Sequence, residues 1–101
     1  DMVETKALKR VLGDDRDNLA ITSTKSATGH MLGAAGAVEL IAAVLTMQNN
    51  IIAPNINLDT PDPDCDLDFV RLEPREKQIV YAASQSLGFG GHNAVLVIKK
   101  Y

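Results

Sequence analysis

A single cysteine occurs in these 101 residues, so an internal disulfide is excluded and an oxidising compartment is not required. Basic residues are neither abundant nor clustered: Lys and Arg total 10 against 13 Asp and Glu, a net charge of −3. That argues against a nucleic acid or an acidic membrane surface as partner. Internal repeats, low-complexity tracts and a signal-peptide pattern are also missing from these residues. What remains is 46% apolar and 23% charged, the composition of a globular chain rather than a disordered one, at a length that suits one small domain.

The most informative shortage is local. Between Met31 and Met47 the only charged residue is Glu39, and Gly33, Ala34, Ala35, Gly36 and Ala37 fill the first turns. The stretch predicts a helix that is apolar all round, and such a helix is expected to be buried all round. Its small residues allow neighbouring backbones to come close, at some cost in helix propensity. The run falls short of the roughly 20 residues of a membrane span and carries Glu39 in its middle, so it is read as a core helix. Lys25 and His30 stand at its entrance. Cover for every side of such a rod exceeds what the other residues offer. Together with Asp1, which is not an initiator, this leads to the expectation that the chain is the tail end of a larger protein.

Other elements follow from pattern. Val3, Ala7, Leu8, Val11 and Leu12 recur at helical spacing, which predicts an amphipathic helix over Met2–Leu12 stopped by Gly13. Asp14 to Asn18 reads as a polar turn, and Leu19 to Thr24 as a short strand with Leu19 and Ile21 inward. Ser26 or Thr28 is a candidate cap for the apolar helix, which should end at Asn49-Asn50. Pro54 keeps Ile51 to Leu58 extended, and the Pro- and Asp-rich stretch from Thr60 to Asp68 reads as a surface loop. Phe69-Val70 adds a short extended pairing. Ile79 to Leu87 and Ala94 to Lys99 read as strands of one antiparallel hairpin, the second expected to be buried on both faces.

Three features point to chemistry. A histidine exchanges protons near neutrality and a lysine beside it supplies fixed positive charge. Together, His30 and Lys25 suit a reaction in which negative charge develops on oxygen or carbon. The bland alternative is a structurally bonded imidazole and a solvated ammonium. Glu39 must be paired, bonded or protonated in its apolar helix. His30 lies about 13 Å away along a straight helix, which leaves Lys25 or a bound cation as partner. The alternative is a polar seam with a purely structural role. Gly88, Gly90 and Gly91 around Phe89 allow positive φ and exposed N–H groups able to hold an oxyanion, with Phe89 as a gate; the same residues also make an ordinary hairpin turn. Cys65 is flanked by Asp62, Asp64, Asp66 and Asp68, whose charge disfavours a reactive thiolate. The Asp alternation imitates a calcium loop, but Leu67 stands where the turn requires glycine and Pro63 interrupts it.

Taken together, STKSATGHMLGAAGAVE, the Pro-Asn-Ile-Asn-Leu connector, CDLDFV and GFGGHNA, in this order and spacing, resemble the C-terminal part of β-ketoacyl-acyl-carrier-protein synthases, the type II elongating enzymes in particular. The resemblance covers essentially the whole chain. It implies an α/β, thiolase-like fold, a mixed β-sheet packed on a buried central helix. Residues 1–101 would be the C-terminal part of the second thiolase-like half, with the nucleophile-bearing half absent. The implied reaction is decarboxylative Claisen condensation of malonyl-acyl carrier protein with an enzyme-bound acyl chain in fatty acid biosynthesis. The implied partners are acyl carrier protein and acyl and malonyl thioesters, in a homodimer located in the cytoplasm or in an organellar stroma or matrix, without nucleic acid or membrane. His30 matches the second His of the family's Cys-His-His set and Lys25 its active-site Lys. Phe89, with Gly88 and Gly90, matches the acyl gate and oxyanion hole. Glu39 matches the acidic support of the site, and some members hold a monovalent cation near the positions of Glu39, Ser84 and Gln85. No other cofactor is implied. Gln85 replaces a common Asn, Leu87 a usual Phe, His92 a frequent Thr and Ala27 a frequent Met. The chain alone is expected to be inactive, because the nucleophilic Cys and the first His lie upstream in the family. Two competing readings are a non-catalytic partner like the chain-length factors, and a self-sufficient binding module.

Overall fold

A computed structural model describes residues 2–101. Helix α1 spans Met2–Leu12. Gly13, at φ +54°, ends it and the chain continues as a 3-10 turn over Gly13–Asn18. A single helical turn, α2, covers Lys25–Thr28, and a second 3-10 turn, Leu32–Ala34, leads into α3, Ala35–Asn49. Four strands follow: β1 Ile51–Ile52, β2 Arg75–Glu76, β3 Tyr81–Leu87 and β4 Asn93–Lys99.

The sheets are small. β1 pairs antiparallel with β2, and β3 with β4 in a hairpin that runs from Tyr81↔Lys99 to Leu87↔Asn93. Parallel pairing occurs as two isolated bridges, Ile21↔Phe69 and Asn55↔Arg71. Leu19 to Thr24 is therefore not a strand: its pairing is the one bridge at Ile21, whose N–H donates to Asp68 O and whose carbonyl accepts from Val70 N–H. Helix α3 packs on β3, and the buried apolar residues are Met47, Ile52 and Val70.

Four expectations are corrected. The inward face of α1 is not the apolar stripe. Val3 and Val11 are 79% and 83% exposed, whereas Thr5 is buried. Polar ties hold that side down, Glu4 accepting from Gln85 and Lys9 donating to Asp66. Neither Ser26 nor Thr28 caps α3. The Thr28 hydroxyl donates to Thr24 O and Ser26 is engaged elsewhere, while the helix enters through its 3-10 turn without a side-chain cap. Nor is α3 buried all round: Ile41 is 60% and Leu45 51% exposed, because the described residues cover chiefly the side that meets β3. Strand β4 is likewise open, with Val95 at 59% and Val97 at 69% exposure, its only strand partner among the described residues being β3. The helical run Leu32–Asn49 has 18 residues and is long and apolar enough, by length and composition, to cross a membrane. A core helix passes the same test. Asn50, left-handed at φ +53°, terminates it as the sequence indicates.

Candidate active site

Lys25 opens α2, where its N–H donates to Ser23 Oγ at 3.3 Å. Gly29, at φ +77°, ends that turn, its N–H returned to Lys25 O at 2.9 Å. This places the Lys25 side chain against α3, where its ammonium pairs with the Glu39 carboxylate. The Glu39 side chain is 15% exposed and that of Lys25 38%, so the pair sits at the edge of the packed interior. Thr24, Thr28, Met31, Ala35 and Val38 close around it. The lone carboxylate of the apolar helix is thus paired with Lys25, one of the two partners left open by the sequence.

His30 stands exposed beyond Gly29. Its Nδ1 accepts the Leu32 N–H at 2.9 Å. An acceptor at Nδ1 leaves the proton of a neutral imidazole on Nε2, so the ring presents an N–H donor outward. Leu32 itself adopts φ +51°, a conformation that costs a side-chain-bearing residue energy.

Phe89 is 97% exposed at the tip of the β3–β4 hairpin. Positive φ is found at Gly90 (+79°) and Gly91 (+83°). Gly88 is extended instead (φ −90°), and its N–H is donated to His92 O at 2.6 Å. Gly88 therefore closes the hairpin and offers no free N–H to an oxyanion. Among the described residues the hydrogen bonds join Lys25 to Glu39 but join neither His30 nor Phe89 to that pair. The three positions that the resemblance places near a cation each have a neighbour in this structure. Glu39 is taken by Lys25, Gln85 gives its amide N–H to Glu4, and Ser84 lies in the hairpin opposite Leu96.

Two carboxylates of the acidic loop are paired with cations from outside it. Lys9 holds the Asp66 carboxyl below its ordinary range, chiefly by a side-chain hydrogen bond. Arg75, donating through Nη1 and Nη2, does the same for Asp68 and is itself raised by that bond. Asp62 accepts from Asp64 N–H and, through its carbonyl, from Cys65 N–H. Among the described residues no group of His, Cys, Asp and Glu is arranged to hold a metal ion.

Sequence reasoning missed two residues. Glu4, outside the apolar set of α1, accepts from Gln85 of β3. Asn55, one unexceptional residue of the connector, bonds to Ser23, Ile21 and Val70. Only its place directly after Pro54 marked it.

The family described as beta-ketoacyl synthase, C-terminal domain, matches residues 1–59. The chain belongs to this family. Over its full length it is 52% identical to 3-oxoacyl-[acyl-carrier-protein] synthase 2 of Staphylococcus aureus (strain COL), of which it covers 24%, and 48% identical to the protein of that name from Synechocystis, again covering 24%. The chain thus spans about a quarter of the length of these curated relatives. Among solved structures, it superposes with a TM-score of 0.93 and 41% identity on a chain of a type II PKS acyl-carrier protein in complex with its ketosynthase bound to the hexaketide, over 97% of this chain and 24% of that one. The ishigamide ketosynthase/chain length factor gives 0.93 at 37% identity, over 100% and 25%. The helix-on-hairpin arrangement is therefore the thiolase-like fold of the β-ketoacyl synthases, in their C-terminal part.

Proposed function

We propose that this chain supplies the charge-stabilising part of a condensing-enzyme site of fatty acid biosynthesis. The reaction is decarboxylative Claisen condensation of malonyl-acyl carrier protein with an acyl chain held on a cysteine outside these residues. The C–C bond to the malonyl carboxylate breaks, carbon dioxide leaves, and the electron pair passes to the enolate. The enolate carbon attacks the acyl thioester, and the cysteine thiolate departs. The observation that carries this reading is the His30–Leu32 hydrogen bond, since Nδ1 as acceptor leaves Nε2–H free to donate to the enolate oxygen. Lys25, anchored on Glu39, is the cation of the proposed site. The Phe89 turn serves as gate. The family relation at 52% identity to 3-oxoacyl-[acyl-carrier-protein] synthase 2 supports the assignment.

Acyl carrier protein is the proposed carrier, the assembled enzyme a homodimer in cytoplasm or organellar stroma or matrix, and the 101 residues alone inactive. No step uses a cofactor. In the full-length protein, His30→Ala should lower the condensation rate roughly a hundredfold, the scale of losing an oxyanion donor; near-normal condensation would reject the role. A second reading, a non-catalytic chain-length-factor-like subunit, has some support in the likeness to the ishigamide ketosynthase/chain length factor, though the condensing-enzyme reading fits better. Trapping a cysteine of the full-length protein as an acyl adduct, seen by mass spectrometry, decides against it.

A further inference from the structure

The Pro-Asn-Ile-Asn-Leu connector has no part in the chemistry above, yet it grips the turn that carries Lys25. The Asn55 side chain uses its whole amide. Oδ1 accepts Ser23 N–H at 3.0 Å, and Nδ2 donates to Val70 O at 2.8 Å and Ile21 O at 3.4 Å. Its backbone is held as well, N–H to Val70 O at 2.7 Å and carbonyl from Leu72 N–H at 3.1 Å. The next residue continues the grip. Ile56 N–H donates to Ser26 Oγ at 3.1 Å, and that hydroxyl donates onward to Ser23 O at 3.2 Å. Ser23, so fixed at both its N–H and its carbonyl, then receives Lys25 N–H on its own hydroxyl. Both ends of the short segment from Ser23 to Ser26 are thus tied to one point of the connector, and Lys25 lies between the ties. Only an amide of this size both accepts from Ser23 and donates to two carbonyls.

We propose that Asn55 and Ser26 are positioning residues that hold Lys25 on Glu39 through the Ser23–Ser26 turn. The inference rests on the catalytic reading of Lys25 given above. Neither residue touches the ion pair, so each acts by limiting where the ammonium can go; displacing a charge by about an ångström costs up to a hundredfold in rate.

The test uses the full-length protein that contains this chain, with Asn55→Ala and Ser26→Ala, alone and combined with Lys25→Ala. Ser26→Ala removes only a hydroxyl and serves if Asn55→Ala does not fold. We expect each single variant to lower kcat for condensation by roughly tenfold with KM unchanged, and to cause no further loss once Lys25 is Ala. An equal loss in the Lys25→Ala background, or an unchanged kcat, overturns the proposal. A second readout needs no activity. Reductive methylation with formaldehyde, followed by mass spectrometry, should label Lys25 several-fold faster in either variant while Lys9 and Lys77, which are bonded elsewhere, keep their rates. Uniform acceleration of all three, or none, overturns the clamp. If the wild-type protein does not condense, the catalytic reading falls and the labelling result still decides whether the clamp exists.

Discussion

Glu39 shows how a single residue constrains its neighbours. A carboxylate with 15% side-chain exposure in an apolar helix needs a counter-charge, and Lys25 provides it from a turn fourteen residues earlier. Exposed ion pairs contribute at most about 1 kcal/mol, whereas removing one partner of a buried pair costs about 3–5 kcal/mol. With Lys25 38% exposed, the single substitutions Lys25→Met and Glu39→Leu should differ. Lys25→Met strands the more buried charge and should cost about 2 kcal/mol, between those limits. Glu39→Leu leaves a lysine that can turn to water and should cost less. The double substitution should recover part of the Lys25→Met loss, because no stranded charge remains; denaturant unfolding of the full-length protein measures all three. Leu32 offers a different test. Its left-handed backbone (φ +51°) costs about 1–2 kcal/mol in an L-residue, while glycine in its place adds about 0.5–1 kcal/mol of unfolded-state entropy. The strain is the larger effect, so Leu32→Gly should raise the melting temperature by a few degrees. A fall in melting temperature would show that the leucine side chain contributes more than its backbone costs.

At the scale of elements, what could be read in advance was whatever depends on neighbours in sequence. The end of α1 at Leu12, the stop of α3 at Asn49-Asn50 and the antiparallel hairpin around Phe89 all follow from periodicity and local breakers. The Lys25–Glu39 pair was legible for a related reason, since a lone buried charge restricts its own options. Faces and clamps were not. Which side of α1 points inward is decided by Gln85, eighty-one residues from Glu4, and by Asp66, fifty-seven from Lys9. Asn55 acts through partners thirty-two and fifteen residues away. The acidic loop displays the same non-local control, and acid should reveal it. The carboxyls of Asp66 and Asp68 both lie below their ordinary value of 3.8. A depressed carboxyl contributes stability that is complete above the unfolded-state pKa and lost as pH falls through the lower folded-state value. The ties from Lys9 and Arg75 should therefore persist at neutral pH and release only below about pH 4. Because these pairs are largely exposed, the effect is screened by salt. Arg75→Ala should bring Asp68 back toward its ordinary value, followed as its carboxyl carbon shift in an NMR pH titration. No change in that midpoint would mean the bidentate bond has no hold on the group.

At the scale of the whole molecule, the described residues expose many large apolar side chains. Ile41 and Leu45 of α3, Val95 and Val97 of β4, and Leu87 and Phe89 at the hairpin tip are each more than half exposed, while the buried apolar core is Met47, Ile52 and Val70. Exposed apolar side chains in such number mark a contact with something else or a tendency to aggregate. The open edges of a two-stranded hairpin add unpaired N–H and C=O groups that recruit further strands. A self-sufficient binding module would instead have folded these side chains inward. The 101 residues expressed by themselves should accordingly self-associate at micromolar concentration and bind a dye such as ANS, as partly packed proteins do, and should melt without a sharp transition. Lys or Glu at Ile41 and Val97, placed where water already reaches, should reduce self-association without lowering the helical circular-dichroism signal, because those positions carry little of this chain's own packing. In the full-length protein the same two substitutions should be strongly destabilising if these faces lie against its remaining residues, since an unpaired charge would then be buried. Light scattering on the short chain and thermal unfolding of the long one thus ask opposite questions of the same surface. A monomeric short chain with a cooperative melt, or a full-length protein indifferent to both charges, would mean that the faces left open by α3 and β4 are solvent surfaces in their own right.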